Sequence, residues 1–372
     1  MKKVVVTNAG RQAGLNFCQS LKLVPNEYHI IGLDDNKYSL LQAVADEKYL
    51  SPPPNSPYYL DFLKSILDNK NVDFLYPSKT NEELWIIASH RDELNAKVFL
   101  PENKSIEIYE DKFKTYQCLS AAGIPVPNTI LVTGKEVLQE FMRVHKQVWL
   151  RAIKGCGGKG SISTDSFAFA CAWIDRFNGW GYFTAAEMLS SRTATWSGIW
   201  DNGNLIVSQV RERKYWEFAY ASPSGVSGVT GAQMTKQDPT IDRLALESIF
   251  AVEKKPHGIV SVDFCYDNAG IPNPTEIQGS RFFSSTFFMA KAGLNLPHIM
   301  IQVAFGESNI KIEKKYSPLP EGLVWIKYVD CNPILTTVQE IEKNEKELKD
   351  WLINRERHKS SCAATHKKSK NI

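Results

Sequence analysis

Residues 3–7 form a short run rich in β-branched side chains, and residues 13–23 carry Leu15, Phe17, Cys18 and Leu21 at helical spacing. The alternation continues with a strand over 28–33 closed by Asp34 and Asp35, a helix over 59–67 and a strand over 72–76 closed by Pro77. A helix over 81–89 and a short strand over 98–100, ended by Pro101, complete the first hundred residues. Strands separated by helical segments predict βαβ units and a parallel sheet buried on both faces. The proline-rich stretch 51–57 predicts a loop, because proline cannot donate to a ladder.

Beyond residue 105 the pattern changes. A helix over 111–122 ends at Gly123, and Ile124-Pro125-Val126-Pro127 enforces an extended exit. A strand over 147–153, a loop over 154–160 and a short strand over 161–164 predict a hairpin. Asp165 and Ser166 then cap a helix to 177 with Phe167, Ala170, Cys171, Ile174 and Phe177 on one face. From residue 182 strands predominate (183–189, 195–200, 205–210), the last two joined by the hairpin turn Asp201-Asn202-Gly203. Further on lie a helix over 241–252, strands over 258–266 and 273–278, helices over 287–292 and 297–305, and a charged amphipathic helix over 339–354. The expected fold class is mixed α/β and α+β. An N-terminal parallel βαβ domain spans 1–105, a smaller lobe with the loop 106–185, and a larger lobe with the C-terminal helix 186–354. Residues 355–372 are expected as a basic tail without fixed structure.

Composition narrows the function classes. Hydrophobic residues make up 43% of the 372 and charged residues 23%, the balance of a soluble chain with a sizeable core. The formal net charge of +3 lies in the C-terminal end with Lys359, Lys367, Lys368 and Lys370, so the body gives no reason to expect nucleic acid or a membrane surface as a partner. The apolar run after Met1-Lys2-Lys3 stops at Thr7-Asn8, too short for a signal peptide, and no stretch reaches the roughly eighteen apolar residues of a membrane span. Seven cysteines without Cys-x-x-Cys and seven histidines without His-x-x-x-His read as reduced thiols in a cytoplasmic protein lacking structural zinc.

Two segments carry chemistry. Gly155-Cys156-Gly157-Gly158-Lys159-Gly160 matches G-x-G-x-x-G, but it leads into Ser161-Ile162-Ser163-Thr164, a β-like stretch, where a dinucleotide fingerprint would open a helix. It is a glycine-rich turn inside a hairpin, where backbone N–H groups can close over phosphates and Lys159 adds charge. The Walker pattern fails because Gly160 follows Lys159. Arg151, at the end of the preceding strand, supplies a permanent forked donor below the loop. The plainer reading is a flexible hairpin tip beside a surface arginine.

In the second segment, Asp263 sits in an apolar strand and Glu276 in another thirteen residues on, with a turn over 267–270 between them. Antiparallel pairing brings the two carboxylates together, and period-two alternation puts Gln278 on the face of Glu276. Two carboxylates and an amide oxygen are hard ligands suited to Mg²⁺. Arg281 follows and can neutralise a phosphoryl group; the plainer alternative is a buried Glu276–Arg281 ion pair.

In this order the segments resemble the ATP-grasp superfamily, in particular its carbamoyl-phosphate-synthase-like and carboxylate–amine ligase branch. The similarity covers about residues 2–310. It rests on Val4-Val5-Val6-Thr7-Asn8-Ala9-Gly10, Glu110-Asp111-Lys112, Ala122-Gly123-Ile124-Pro125-Val126-Pro127 and Trp149-Leu150-Arg151 with the loop. Ala186-Glu187-Met188-Leu189, Glu276-Ile277-Gln278-Gly279-Ser280-Arg281, Ala292-Gly293-Leu294-Asn295-Leu296-Pro297 and Ala304-Phe305-Gly306-Glu307 extend it. The resemblance implies a pre-ATP-grasp domain followed by a two-lobed ATP-grasp fold. It also implies that Lys112 and Arg151 hold ATP phosphates together with Gly157, Gly158, Lys159 and Gly160. Glu187, Met188 and Leu189 would form the hinge that binds adenine. Asp263, Glu276 and Gln278 would hold Mg²⁺ (with Mn²⁺ as an alternative), and Arg281 and Arg151 would support phosphoryl transfer. Three departures stand out: Gln278 replaces the usual Asn, Ala152 replaces a proline, and the region 192–196 lacks the acid that commonly binds ribose.

The implied reaction activates a small-molecule carboxylate as an acyl phosphate and passes it to an amine, releasing ADP and phosphate. Such chemistry needs positioning and charge neutralisation more than an acid–base pair. Arg211 and Arg213 are candidates for phosphate or substrate carboxylate, the loops 8–14 and 78–83 for the substrate site, and a homodimer is the family's default. Two rivals stay open, an ATP-binding module that senses or scaffolds without turnover and a kinase of small acids or carbamate. A dinucleotide oxidoreductase is disfavoured by the incomplete spacing in Asn8-Ala9-Gly10-Arg11-Gln12-Ala13-Gly14.

Overall fold

The computed structural model describes residues 1–78, 82–155, 157–158, 160–226, 228–328 and 337–368, the last ten of these by backbone alone. The chain divides into two compact units, Met1–Val98 with Asp330–Ile372, and Phe99–Val329.

The first unit is built on a parallel sheet of order β3-β2-β1-β4-β5, from β1 (Lys2–Val6), β2 (Tyr28–Asp34), β3 (Glu47–Leu50), β4 (Phe74–Tyr76) and β5 (Lys97–Val98). Val4, Val5, Ile30, Ile31 and Leu75 are fully buried, as a parallel sheet covered on both faces requires. β3 was not expected, because Glu47-Lys48-Tyr49-Leu50 is too short and polar to read as a strand. It lies at the edge, where Glu47 accepts from Lys70, Tyr49 and His29.

The C-terminal helix Val338–Lys368 corrects two expectations. It belongs with this unit and not with the larger lobe, and it continues to Lys368 where an unstructured tail from residue 355 was expected. The reason lies in its inner face. Trp351 meets Phe62 edge-on at 5.1 Å, Arg355 pairs with Asp61 at 2.9 Å, and Glu345 pairs with Lys37 at 3.0 Å.

The second unit holds two antiparallel sheets. The smaller has the order β6-β9-β7-β8, from β6 (Thr129–Leu131), β7 (Val148–Ala152), β8 (Ile162–Thr164) and β9 (Phe183–Glu187). The expected lobe boundary at 185/186 therefore cuts through β9. Helices Lys135–Val144 and Phe167–Arg176 cover this sheet through Leu138, Phe141, Ala170 and Ile174, which pack with Val148, Leu150 and Ala185. The predicted helix stop is present. Gly123 sits at φ 71, its N–H donates to Ser120 O and that of Ile124 to Leu119 O, closing a Schellman turn after helix Lys112–Ala121.

The larger sheet has the order β14-β13-β10-β11-β12-β15, from β10 (Thr193–Asp201), β11 (Asn204–Trp216), β12 (Thr230–Lys236), β13 (Gly258–Tyr266), β14 (Pro272–Gly279) and β15 (Val324–Ile326). The β10–β11 turn has positive φ at both Asn202 (48) and Gly203 (93), the conformation that an Asn-Gly hairpin favours. One face of this sheet packs Trp196, Val210, Val262, Phe264 and Ile277 against Ile241, Leu244, Ala245 and Ile249 of helix Pro239–Val252. The opposite face is polar.

Candidate active site

Strand register assembles the polar face. Arg211, Thr195, Asp263 and Glu276 stand directly opposite one another across β11, β10, β13 and β14. The neighbouring row is Gln209, Ser197, Ser261 and Gln278. Side chains of one row share a face, so the sheet brings Asp263, Glu276 and Gln278 together as expected from the hairpin. The turn that sets this register is fixed by Asp267, whose Oδ1 accepts from Ala269 and Ile271 N–H, and by Gly270 at φ 82. A bulge at Asp263/Phe264 leaves Thr275 without a counterpart in the pairing. The Thr195 hydroxyl donates to Asp263 Oδ1. Thr195 was missed in the sequence; its signal was the alternation Thr193, Thr195, Ser197 against Ala194, Trp196.

From the smaller sheet, Arg151 reaches the same place. Its Nη2 donates to Thr275 O at 2.8 Å, next to Glu276, while Nε is buried with no partner. Burial lowers its basicity, and the charge of Glu276 opposes that shift. The β7–β8 hairpin carries the glycine loop, with positive φ at Gly155 (119), Gly157 (68), Gly158 (72) and Gly160 (78). A Cβ on Gly158 would come within 2.6 Å of Val226 O, and one on Gly228 within 2.9 Å of Gly157 Cα. The loop thus meets Val226 and Gly228 backbone to backbone. Gly228 had no signal in the sequence beyond being a glycine in a small-residue stretch. Lys159 lies outside the described residues.

Lys112 opens helix Lys112–Ala121, whose N-cap Asp111 accepts from Phe113 and Lys114 N–H at 3.0 Å. Its Nζ donates to Gly155 O at 2.6 Å, which ties this lysine to the loop. At the end of β9, Glu187 is tied on both sides, its N–H to Asn128 O and its Oε1 from Asn128 N–H. Met188 and Leu189 make no main-chain hydrogen bond among the described residues. Where the ribose acid was missing, the Arg192 guanidinium stacks 4.0 Å from the Tyr266 ring.

Arg281 does not join the row. It follows the end of β14, beyond Ser280 at φ 135, and its Nη1 donates to Phe282 O at 3.3 Å. Among the described residues no ion pair links it to Glu276. The cation in the row is Arg211, 3% exposed, with Nε and Nη1 unpartnered. Arg213 stands two positions further, donating to Thr193 and Thr230 hydroxyls and stacked 3.7 Å from Trp216. Burial and the neighbouring Arg213 lower the basicity of Arg211 to about 9.

The residues fit a magnesium-bound nucleoside triphosphate. A cradle of left-handed glycines leaves room for phosphate oxygens, the buried Nε of Arg151 lacks a partner, and the carboxylates with Gln278 offer hard oxygens. The acids number two, and among the described residues no cluster of three His, Cys, Asp or Glu side chains forms a metal site. Substrate phosphates and water would complete the coordination of Mg²⁺.

No protein-family model matches the chain and no curated protein matches it. Solved structures do. The L-amino acid ligase of Bacillus licheniformis aligns with a TM-score of 0.61 over 82% of this chain and 74% of its own, at 13% identity. The biotin carboxylase domain dimer of 2-oxoglutarate carboxylase from Hydrogenobacter thermophilus, in complex with MgADP, ADP and bicarbonate, gives 0.65 over 87% and 73% at 14% identity. N5-carboxyaminoimidazole synthetase from Staphylococcus aureus, complexed with ADP, gives 0.63 over 83% and 79% at 15% identity. The chain therefore has the ATP-grasp fold, a parallel N-terminal domain followed by the two-lobed unit. Among the described residues no helix is long and apolar enough to cross a membrane.

Proposed function

We propose that this protein is an ATP-dependent ligase that activates a small carboxylate and joins it to an amine. The observation that carries the reading is the meeting of Arg151, under the glycine loop, with the strand of Glu276, itself paired with Asp263. Mg²⁺-ATP, when bound, would supply the phosphoryl group that turns the carboxylate into a mixed anhydride with loss of ADP; the amine then attacks the carbonyl carbon, expels phosphate and gives up a proton. The chain's own part is positioning. Lys112, Arg151, Gly157, Gly158 and Gly160, with Lys159, hold the triphosphate, and Glu187, Met188 and Leu189 line the adenine. Asp263, Glu276 and Gln278 hold the metal, and Arg151, beside Glu276, meets the charge that develops on transfer. Neighbours bearing ligase activity and bound ADP support the class, and the dimeric biotin carboxylase domain supports a homodimer.

One observation favours a second reading, a nucleotide-binding module without turnover: the region that lacks the ribose-binding acid carries instead the Arg192 guanidinium, stacked on Tyr266. A single assay separates the two. ADP release with Mg²⁺ is measured against a panel of carboxylic acids with and without amines, for the wild type and Glu276→Ala. Turnover that needs acid and amine and vanishes in the variant establishes the ligase, whereas binding of ATP without turnover on the whole panel establishes the module. Release with an acid alone points to a kinase.

A further inference from the structure

Fifteen buried side-chain nitrogen and oxygen atoms lack a hydrogen-bond partner among the described residues, and seven of them gather on one part of the polar face. They are Arg211 Nε and Nη1, both polar atoms of the Gln233 amide, Ser285 Oγ, Thr286 Oγ1 and Trp325 Nε1. Register and packing tie them together. Gln233 stands opposite Arg213 on β11 and opposite Trp325 on β15. The Arg211 guanidinium lies 4.3 Å from the Phe283 ring, Phe288 stacks on Trp325 at 5.6 Å, and Lys327 Nζ donates to Ser284 O. Residues 283–288 therefore run over β11, β12 and β15. Gln233, Ser285 and Thr286 have no exposed surface at all. Unmet polar groups at such depth each cost about 1–3 kcal/mol, so their concentration points to a guest that pairs with them.

The chemistry of the cluster describes the guest. A guanidinium over an aromatic ring offers its N–H groups in its own plane, the match of a carboxylate. Arg213 is engaged with Thr193 and Thr230 and Lys327 with the Ser284 carbonyl, so Arg211 is the one cation of the cluster with unpartnered buried donors, and a second carboxylate would find no such donor. The acid whose charge both arginines sense is Asp263, two strands from Arg211 and thus roughly 10 Å away. An ammonium placed here would add a further cation beside Arg211, Arg213 and Lys327 at low dielectric. The Gln233 amide and two hydroxyls instead suit a neutral group that both donates and accepts.

We propose that this cluster is the pocket for the acid substrate, and that it selects a small acid with one carboxylate and an adjacent neutral hydroxyl or amide, such as a 2-hydroxy acid or an N-acyl amino acid, over free amino acids and dicarboxylates. The proposal rests on the ligase reading for its role, but the pocket can be probed without nucleotide.

Isothermal titration of the full chain with lactate, N-acetylglycine, propionate, glycine, succinate and inorganic phosphate tests it, beside binding of a fluorescent ATP analogue. Lactate and N-acetylglycine bind at least tenfold tighter than glycine or succinate. Arg211→Gln weakens both at least tenfold while the ATP analogue still binds. Gln233→Leu, which keeps the cation, removes the preference for lactate over propionate and leaves propionate binding in place, so the answer does not hang on one variant's folding. Glycine or succinate binding as well as lactate, phosphate displacing lactate at equal concentration, or no acid binding to a chain that binds the ATP analogue would each overturn the pocket. Lactate binding without any nucleotide binding supports the pocket and removes the ligase reading alone.

Discussion

The two faces of the larger sheet are made by the same strands and have opposite characters. On one, Trp196, Val210, Val262, Phe264 and Ile277 interlock with helix Pro239–Val252, all of them at most 1% exposed. On the other, two rows of directly opposed residues, Gln209-Ser197-Ser261-Gln278 and Arg211-Thr195-Asp263-Glu276, contain no large apolar side chain. A sheet with one helix-covered face needs only that face to hold it together. Strand alternation then leaves the other free to gather charges that would be costly in a core. Stability and chemistry are thus divided between odd and even positions of single strands, and neighbouring substitutions should separate them.

The largest effect is expected on the apolar face. Trp196→Ala removes a fully buried ring and its bond from Nε1 to Asp242, and it should cost about 3–5 kcal/mol in urea denaturation. The folded fraction should keep its affinity for ATP. Two strands over, Glu276→Gln keeps the volume and removes the charge from the polar face. Acid- and amine-dependent ADP release should fall about a hundred- to a thousandfold, with the urea midpoint unchanged. A variant at 276 that unfolds, or one at 196 that folds normally but loses nucleotide, would break the division.

The division was legible in part. Val260, Val262 and Phe264 alternating with Ser261, Asp263 and Cys265 announced it on β13, and the turn at 267–270 announced its partner strand. β12 was missed because its residues Thr230-Gly231-Ala232-Gln233-Met234-Thr235-Lys236 show no apolar alternation. Gln233 stands opposite Trp325 of β15, and Thr235 bonds to Pro320 and Leu323, partners that lie far away along the chain. The helix Lys135–Val144 has Leu138, Phe141 and Met142 on its buried face, but it starts after Gly134 with no side-chain cap, so no local signal marks where it begins. Arg281 illustrates a different limit. Spacing placed it near the acids, but the left-handed turn at Ser280 redirects the chain, and no local pattern encodes such a turn at a serine. The C-terminal helix was readable as amphipathic, while the surface its stripe covers is a tertiary fact.

The glycine loop sharpens the comparison at intermediate size, since it should act on the polar face alone. Gly158→Ala forces a left-handed alanine and a Cβ against Val226 O, whereas at Gly157 the added Cβ meets nothing within 4 Å. The left-handed conformation alone costs about 1–2 kcal/mol for either. Fluorescent ATP-analogue binding should weaken about tenfold for Gly157→Ala by that cost, and further for Gly158→Ala. Urea stability should move little if the loop is an appendage to the fold.

The smallest test asks how much of the polar face is itself structural. Ser197 and Ser261 hydroxyls lie 2.8 Å apart, at 0% and 5% exposure, and satisfy one another. Removing one leaves the other buried alone, so Ser261→Ala and Ser197→Ala should each cost about 1 kcal/mol, while the double variant should return close to wild type. The cycle is read from urea midpoints, with ADP release followed in parallel. If turnover is unmoved throughout, these two serines form a neutral seam between the core and the row of Asp263 and Glu276, and the chemistry occupies that single row. If turnover drops in the double variant at restored stability, both rows take part, and Gln278, opposite Ser261, is the residue through which the outer row reaches the ligand.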